Sequence, residues 1–385
     1  MKITYISDQF LPSSSADTEQ FINMLSALSK QSDAELISAS YRSQSEKQLK
    51  EIQDYYLVDG TWNLKFISHL FQNIRGIEKL SFAFRAALKL RNEDTNVVYT
   101  RNIPIVIATL LLTDKPVIFE TFRPWPKRNI QSRWFFENMA KHPRFLGIIL
   151  HSKFAKNAYL EHGYSEDQLK VEHNAFRSEF IEDIKKDKEE LRKELGLSDS
   201  EPIVTYTGRV NPKKGLHYLL DLAESFAEAH FVIVGSESYG EIERRAEDMT
   251  NVTVILWQDK SSTARYIKAS DILYIPTSLQ AREKAMNTVL PIKTFIYKAS
   301  GKAILAPDIE DLREVLVHNK TAYLVQPDDR SAAEQGLKEL LENEELREKL
   351  GKEAKSEMSS LTWENRATRV IEFINRRLKN SNPIR

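Results

Sequence analysis

Short apolar runs alternate with amphipathic stretches along the whole chain. The runs of the first half have the length and composition of buried parallel strands: KITYIS, AELISAS, NVVYT, KPVIFE and FLGIILHS. The alternation begins again in the second half, with PIVTYTG, HFVIVG, VTVILW, DILYIP and KAILAP. Strands that alternate with helices predict parallel sheets covered by helices on both faces. The pattern therefore predicts an α/β protein with two Rossmann-like domains, each built on a doubly wound parallel sheet.

A polar helical stretch, residues 181–202, separates the two series of strands. A chain of 385 residues is too long for one ordinary core, so we place a domain boundary just before residue 181. Open parallel sheets bind ligands at the carboxyl ends of their strands. We therefore expect a site in a cleft that the two domains face.

Composition and charge exclude several classes of protein. The chain has 55 Lys and Arg and 55 Asp and Glu, so its net charge is zero and nothing indicates nucleic-acid binding. It has no cysteine, which excludes disulfides and thiolate metal sites and favours a reducing, cytoplasmic location. The first residues do not read as a signal peptide, and the longest apolar run, residues 103–112, is too short to span a bilayer.

The stretch YTGRVNPKKGLHYLL, residues 206–220, carries the strongest chemical signal. A strand ends there, and Arg209 and Lys214 follow it just before a helix begins. Two cations and free backbone N–H groups at a helix start are what a diphosphate requires. A solvated basic turn is the alternative interpretation, because no P-loop motif is present.

Two further strand ends lie beside helices. Gly235 ends a strand and permits the close approach of a ligand, or simply a tight turn. Pro291 fits the first position of another helix, with Lys293 in its first turn and Gly301 at its end. A cation at a helix N-terminus opposes the helix dipole, so an anionic ligand would explain Lys293; a lysine that extends into solvent is the alternative.

Segment 122–136, FRPWPKRNIQSRWFF, mixes cations with aromatic side chains. Such a mixture suits an anionic or lipid-linked acceptor, a membrane surface or a partner subunit. The alternative is a core helix that begins at Ser132 after a solvated basic loop. The eight histidines show no metal-binding spacing, and we interpret them as structural.

The second half, from about residue 187 to residue 375, resembles the retaining glycosyltransferases of family 4, which have the GT-B fold. The pieces that match occur in the family's order: TGRVNPKKG, FVIVG, ASDILYIPTS, LPIKTFIYKASGKAILAP, DLREVLVHNKTAYLVQPDD and TWENRATRVIEF. The first half matches more loosely, through DQFLPSSSADTEQFINML, VVYTRN, VIFETF and HSKFAKNAYLEHGY. The terminal helix of the family returns to the N-terminal domain. The resemblance thus implies an N-terminal acceptor domain of residues 1–180 plus 364–385, and a donor domain of residues 181–363.

The resemblance also implies roles for single residues. Arg209 and Lys214 match the pair that holds the diphosphate of a nucleoside-diphosphate sugar, and Trp257 lies in the segment near the nucleotide base. Ser15 and Ala16 lie in the loop that approaches the diphosphate from the N-terminal domain. Segment 122–136 matches a region that borders the acceptor site. The chain has no D-x-D triplet, which fits a transferase that needs no metal and no cofactor.

The chain departs from the family in three places. Where members carry the two glutamates of the E-x7-E pair, of which the second binds the donor ribose, this chain has Thr288 and Ile296. Where members have E-x-H, it has Glu120, Thr121 and Phe122. The N-terminal loop, often Gly-Gly, is Ser-Ser-Ala. Two lost charged hydrogen bonds weaken binding by on the order of 100-fold or more, so the departures bear on activity.

These observations predict a metal-independent glycosyltransferase that moves a sugar from a nucleoside-diphosphate sugar to an unknown glycan, lipid-linked or protein acceptor, with retention. Arg209 and Lys214 neutralise the departing diphosphate and Lys293 assists, while Glu120 and Asp17 are candidates for the general base. The alternative is a catalytically degenerate GT-B subunit that binds a partner or glycan and scaffolds an active transferase; a GT-B epimerase is a third possibility. We expect a cytoplasmic protein, with a peripheral position at a membrane as an option.

Overall fold

A computed structural model describes residues 1–40, 47–68, 76–177, 179–211, 214–276, 279 and 290–381. The chain divides into two compact units. One consists of Met1–Asn174 with Trp363–Arg385, and the other of Ala175–Thr362. The division thus falls after residue 174, where the sequence analysis placed it after residue 180, and the chain returns to the first unit at residue 363.

The N-terminal unit contains a seven-stranded sheet in the order β3-β2-β1-β4-β5-β6-β7, in which all neighbours run parallel. Its strands are β1 (Lys2–Phe10), β2 (Asp33–Ser40), β3 (Asn63–Ser68), β4 (Val97–Thr100), β5 (Val117–Thr121), β6 (Phe145–Leu150) and β7 (Leu169–Val171). Its helices up to β7 are α1 (Ala16–Ser29), α2 (Lys47–Tyr56), α3 (Ile77–Leu90), α4 (Ile103–Leu112), α5 (Ile130–Met139) and α6 (Lys153–Leu160).

The C-terminal unit contains a six-stranded parallel sheet in the order β10-β9-β8-β11-β12-β13. Its strands are β8 (Ile203–Thr207), β9 (His230–Ser236), β10 (Val252–Leu256), β11 (Ile272–Tyr274), β12 (Ala303–Pro307) and β13 (Tyr323–Val325). Its described helices are α7 (Glu179–Glu182), α8 (Lys188–Leu195), α9 (Leu216–Ser225), α10 (Glu241–Glu247), α11 (Lys260–Ala269), α12 (Lys293–Ser300), α13 (Glu310–Arg313), α14 (Arg330–Glu342) and α15 (Glu344–Ser356).

Helices cover both faces of the N-terminal sheet because the crossovers change direction at β1. The chain moves from β1 to β3 in one direction and from β4 to β7 in the other, and right-handed crossovers place the two sets of helices on opposite faces. Helices α3, α4, α5 and α6 accordingly share one apolar cluster with the sheet. The fold is therefore the predicted pair of doubly wound parallel-sheet units.

The last helix, α16 (Trp363–Ser381), belongs to the N-terminal unit. Trp363, Val370 and Ile374 are buried, and Ile371 is half-buried. The helix packs against α1, and Arg366, on the same side of the helix, is buried with them. The return of the terminal helix, which the family resemblance implied, thus occurs in this chain.

Two helices begin at other residues than the sequence analysis predicted. Helix α12 begins at Lys293 and not at Pro291, because the amides of Thr294 and Phe295 close tighter turns on Pro291 and Ile292 before regular helix starts. Helix α5 begins at Ile130 and not at Ser132. Its start is fixed by Asn129, whose side chain accepts a hydrogen bond from the amide of Ser132.

Candidate functional site

The carboxyl end of β8 lies beside the start of helix α12. Tyr297 in α12 anchors the helix there, because its hydroxyl accepts a hydrogen bond of 2.8 Å from the amide of Thr207. One turn earlier in the same helix, Lys293 Nζ lies 3.5 Å from the centroid of the Tyr206 ring. A local contact in the core of the unit thus fixes the position of this lysine over the end of the strand.

Three cations gather at this end of the sheet: Arg209, Lys214 and Lys293. Burial, and then the charge of Lys214, hold the pKa of Lys293 well below its usual range. Burial, and then the charge of Arg209, lower the pKa of Lys214. Arg209 is exposed and lies 3.4 Å from a carboxylate oxygen of Glu237, whereas no acid among the described residues pairs with either lysine. The site is therefore a concentration of positive charge that an anion would stabilise.

Gly235 and Trp257 lie on neighbouring strand ends of the same sheet. The amide of Trp257 donates a hydrogen bond of 2.8 Å to the carbonyl of Ser236, which ties the end of β10 to the end of β9. Trp257 is 57% exposed, and its neighbour Leu256 is 71% exposed. An exposed indole at a ligand-binding edge is available to stack on a planar ring.

Ile296 lies one turn after Lys293 and is half-buried. It packs against the apolar cluster of the C-terminal unit, as do Phe176 and Ile184. Thr288, the other position of the E-x7-E pair, lies outside the described residues. At residue 296, where the resemblance implied a carboxylate, the chain thus has an apolar side chain that packs against the core.

Glu120 lies in the N-terminal unit, 3% exposed at the end of β5. Its Oε1 accepts a hydrogen bond of 2.8 Å from Arg366 Nη2 and lies 2.6 Å from His151 Nε2. Its Oε2 accepts a hydrogen bond of 2.5 Å from the hydroxyl of Tyr99. Burial alone would raise the pKa of Glu120, but the charges of Arg366 and Arg101 hold it well below the usual range. Glu120 is therefore ionised, and both its oxygens have partners.

A cavity of about 440 Å³ opens beside Glu120. It is lined by residues of the N-terminal unit alone, among them Phe122, Lys79 and Arg101. Asp17 also faces it and lies 3.1 Å from Arg101 Nη1, with 43% of its side chain exposed. The cavity thus offers both a basic wall and one accessible carboxylate.

Ser15 and Ala16 lie at the N-terminus of the 14-residue helix α1. Ser15 is extended, and its side chain makes no capping hydrogen bond. The hydroxyl of Tyr56 holds the preceding loop, since it accepts from the amide of Ser13 and donates to its carbonyl, both at 2.7 Å. The loop is therefore positioned by Tyr56, which no sequence signal indicated.

Segment 122–136 divides into an inner and an outer part. Trp125 packs against the core and donates a hydrogen bond of 3.1 Å to Thr121 Oγ1. The guanidinium groups of Arg123 and Arg128 lie 5.4 and 5.1 Å from the centroid of its ring. Phe136 is buried. The outer part, on helix α5, exposes apolar side chains to solvent. The segment thus contains a helix that packs into the core and also apolar side chains that reach solvent.

The network around Glu120 is the part of the site that the sequence analysis missed. It identified Glu120 but treated His151 as one of the scattered structural histidines, and it gave Arg366 and Tyr99 no role. One signal was available. Arg366 occupies the apolar side of the terminal helix, between Trp363 and Val370, and an arginine at a position of core spacing requires a buried acid.

These two units, each a parallel sheet between helices, define the GT-B architecture. The Anabaena protein HepE, solved in complex with UDP-glucose, has the same fold: it superposes with a TM-score of 0.72 at 16% identity, over 98% of this chain and 100% of that one. Residues 187–357, most of the C-terminal unit, match the family model described as glycosyl transferases group 1.

Curated relatives match at lower coverage. An uncharacterized glycosyltransferase of Methanocaldococcus jannaschii is 22% identical over 219 residues, which are 54% of this chain and 53% of that protein. The sulfoquinovosyl transferase of Arabidopsis thaliana is 26% identical over 189 residues, 47% of this chain and 35% of that protein. The chain thus spans about half or less of the length of these relatives.

Proposed function

We propose that this protein transfers a glycosyl group from a nucleoside-diphosphate sugar to an acceptor, with retention at the anomeric carbon and without a metal ion. One observation carries the proposal: Arg209, Lys214 and Lys293 meet at the end of β8, and neither lysine has an acidic partner among the described residues. The match of residues 187–357 to the glycosyl transferase model supports it, because all three residues lie in that range.

The chemistry follows from the charge. The bond between the anomeric carbon and the diphosphate oxygen breaks, and its electron pair leaves with the nucleoside diphosphate. A bond forms between the anomeric carbon and an acceptor oxygen, whose proton passes to a base. Fixed cations stabilise the negative charge on the leaving group, and they do so most effectively where burial excludes water. Lys293, half-buried over the Tyr206 ring, meets that condition best, and Lys214 and Arg209 extend the site towards solvent.

The N-terminal unit supplies the acceptor cavity in this proposal. Glu120 is not the base, because both its oxygens already accept hydrogen bonds and its charge is balanced by Arg366. Its role is to hold the wall of the cavity in place. Asp17 is the better candidate for the base, since it faces the cavity and stays partly exposed.

The comparisons lend no support to the alternative of a degenerate scaffold subunit. The missing ribose carboxylate, the missing histidine at Phe122 and the aromatic segment 122–136 favoured it, and Ile296 does fill the carboxylate position with apolar packing. However, a scaffold has no need of three clustered cations, whose mutual repulsion costs stability unless an anion binds.

The proposal is tested by titrating the protein with UDP, GDP and ADP, by calorimetry and by thermal shift. We expect one of them to bind; at 100 times its dissociation constant it would stabilise the fold by about 2.7 kcal/mol. Arg209→Ala and Lys214→Ala should each weaken binding by on the order of ten-fold or more. Arg313→Ala and Lys338→Ala are matched controls, since they remove equally exposed cations of the same unit.

Turnover is measured with the nucleotide sugar whose diphosphate binds. A transferase releases nucleoside diphosphate in an acceptor-dependent reaction, whereas an epimerase converts the donor sugar without any acceptor. If no nucleoside diphosphate binds, or if binding survives both Arg209→Ala and Lys214→Ala, the donor site proposed here does not exist.

A further inference from the structure

Helix α3 is apolar on two opposite faces. Its inner face packs Phe82, Ala86 and Leu90 into the core of the N-terminal unit. Its outer face exposes four large apolar side chains: Ile77 (46% exposed), Leu80 (59%), Phe84 (49%) and Leu88 (39%). A helix that only covers a sheet needs one apolar face, so the outer one requires a separate explanation.

The four outer side chains form a continuous stripe. Their spacing of three or four residues places them on one side of the helix. From Ile77 to Leu88 the stripe extends over about 16 Å. Scattered exposed apolar side chains are ordinary on proteins, but a stripe along three turns is not.

Helix α5 adds to this surface from the same layer of helices. Ile130 and Trp134, one turn apart, are 77% and 67% exposed. Helix α4 lies between them in this layer, and all three helices contribute to the one apolar cluster on this face of the sheet, so the outward sides of α3 and α5 both face away from the sheet. We call the six outward side chains of α3 and α5 the α3–α5 surface.

Basic side chains outnumber acidic ones in the segments that carry the α3–α5 surface. Residues 77–91 contain four Lys or Arg and one Glu, and residues 122–136 contain four Lys or Arg and no acid; of these cations, Lys79 pairs with Asp8 and Lys127 with Glu161. Lys89, Arg91 and Arg133 are exposed beside the apolar side chains. Exposed cations thus accompany the apolar side chains that reach solvent on both helices.

We propose that the α3–α5 surface docks the protein on a membrane that contains anionic lipids. An exposed apolar face bordered by Lys and Arg, with aromatic side chains such as Phe84 and Trp134, is the chemistry of helices that lie in the plane of the lipid headgroups. None of the described helices is long and apolar enough to cross a bilayer. The contact is therefore with the surface of the membrane.

The charge of the α3–α5 surface favours an anionic membrane over a second copy of the chain as its partner. A symmetric dimer through the α3–α5 surface would place the same basic patch on both sides of the contact, and like charges that face each other oppose association. An anionic lipid surface attracts the same patch. The proposal stands independently of the glycosyl transfer proposed above, because it uses no residue of the donor site.

The test is co-sedimentation with vesicles of phosphatidylcholine alone and of phosphatidylcholine mixed with phosphatidylglycerol. We expect pelleting with the anionic vesicles only, and less of it as salt is raised. Leu80→Ser/Phe84→Ser, Trp134→Ser and Lys89→Glu/Arg91→Glu should each reduce the bound fraction, the first by on the order of ten-fold or more. All these side chains are exposed, so melting temperatures should stay close to wild type.

Tyr55→Ser is the matched control. Tyr55 is 51% exposed and lies on α2, on the opposite face of the sheet, so its loss should leave vesicle binding unchanged. No pelleting with either vesicle, or pelleting that Leu80→Ser/Phe84→Ser leaves intact, overturns the proposal. It is also overturned if light scattering shows a dimer that this double variant dissociates, or if the surface captures an acidic protein but no vesicle.

Discussion

The backbones of Gly208 and Gly235 touch at the carboxyl ends of β8 and β9. The amide of Gly208 donates a hydrogen bond of 2.8 Å to the carbonyl of Val234. A Cβ placed on Gly235 would lie 2.6 Å from the carbonyl oxygen of Gly208, and Gly235 has a φ of +118°. This contact sets the position of the turn that carries Arg209, so the geometry of the cation cluster depends on a residue without a side chain.

Gly235→Ala should therefore disturb the cation cluster and the fold together. We expect a loss of about 1–3 kcal/mol in the free energy of unfolding, because the clashing atoms are backbone and have little room to move. Nucleoside diphosphate binding should weaken as well. Thermal unfolding and calorimetry measure both effects. Gly163→Ala is the control: Gly163 also has a positive φ, but no atom lies within 4 Å of its missing Cβ.

Replacement of Lys293 should separate stability from binding. Its folded-state pKa is well below that of an unfolded lysine, so protonation opposes folding and the stability of the free protein should rise with pH between the two values. Lys293→Met removes that cost and also the contact with the Tyr206 ring. We expect unfolding stability within about 1 kcal/mol of wild type, a flatter pH dependence, and nucleotide binding weaker by on the order of ten-fold or more.

Lys302 provides the matched control for Lys293. It lies just after the same helix, and burial lowers its pKa to about 8, so stability should also rise as pH passes from 8 towards the value of an unfolded lysine. Lys302→Met should flatten that rise and leave nucleotide binding intact. Equal loss of binding in both variants would mean that the lysines support the fold alone.

The buried pair of Glu120 and Arg366 should make the N-terminal unit sensitive to acid. The pKa of Glu120 is depressed, so its stabilisation is present above the unfolded value and is lost as pH falls through the folded value. Burial lowers the pKa of His151 to about 4. Between pH 6.5 and pH 4 the unfolded state therefore binds a proton that the folded state does not, so the free energy of unfolding falls as pH falls through this range. Both effects have the same sign.

Glu120→Gln should cost about 3–5 kcal/mol at pH 7, since it leaves Arg366 buried without its counter-charge. It should also flatten the acid side of the stability curve. The double variant Glu120→Gln/Arg366→Met should cost less than the sum of the single changes, because neither charge is then left alone. Denaturant unfolding from pH 4 to pH 8 measures this. Glu342→Gln, which removes an exposed partner of Lys338, should change stability by less than about 0.5 kcal/mol.

The sequence predicted the sheets well because parallel strands that are buried on both faces are continuous apolar runs. Every residue of β6, for instance, is buried. The position of Arg209 and Lys214 was predictable for a related reason. Residues that follow a strand lie at its carboxyl end, so their position requires only that the strand itself is predicted. Arg209 and Lys214 could thus be assigned to a site before their neighbours were known.

Contacts between distant residues could not be predicted in this way. Tyr99 and Arg366 reach Glu120 across 21 and 246 residues of sequence, and no local period connects them. The start of α12 was misplaced because Pro291 gave a strong local signal, whereas the amides of Thr294 and Phe295 close tighter turns there and the regular helix begins at Lys293. Local sequence patterns therefore predict the helices and strands. Tertiary contacts determine where these elements end and which residues pair with buried charges, so neither could be predicted.

Ile296 offers a test of whether the ribose side of the donor site has been rebuilt. If the site only lacks a carboxylate, Ile296→Glu should restore a hydrogen bond to the ribose and strengthen donor binding by about 1.5–3 kcal/mol. However, Ile296 packs against the core of the C-terminal unit. A glutamate there would place a charge against apolar side chains, so we expect a loss of about 1–3 kcal/mol in stability and no gain in affinity.

Two further variants make this prediction specific. Ile184→Glu introduces the same charge against the same apolar cluster from another segment, and it should lower stability similarly without altering nucleotide affinity. Ile296→Val keeps the position apolar and should cost no more than about 0.5–1.5 kcal/mol. Calorimetry with UDP and GDP, beside melting temperatures, measures all three variants. Tighter binding by Ile296→Glu at unchanged stability would contradict the prediction, and it would show that the pocket still accepts the ribose contact that this chain has lost.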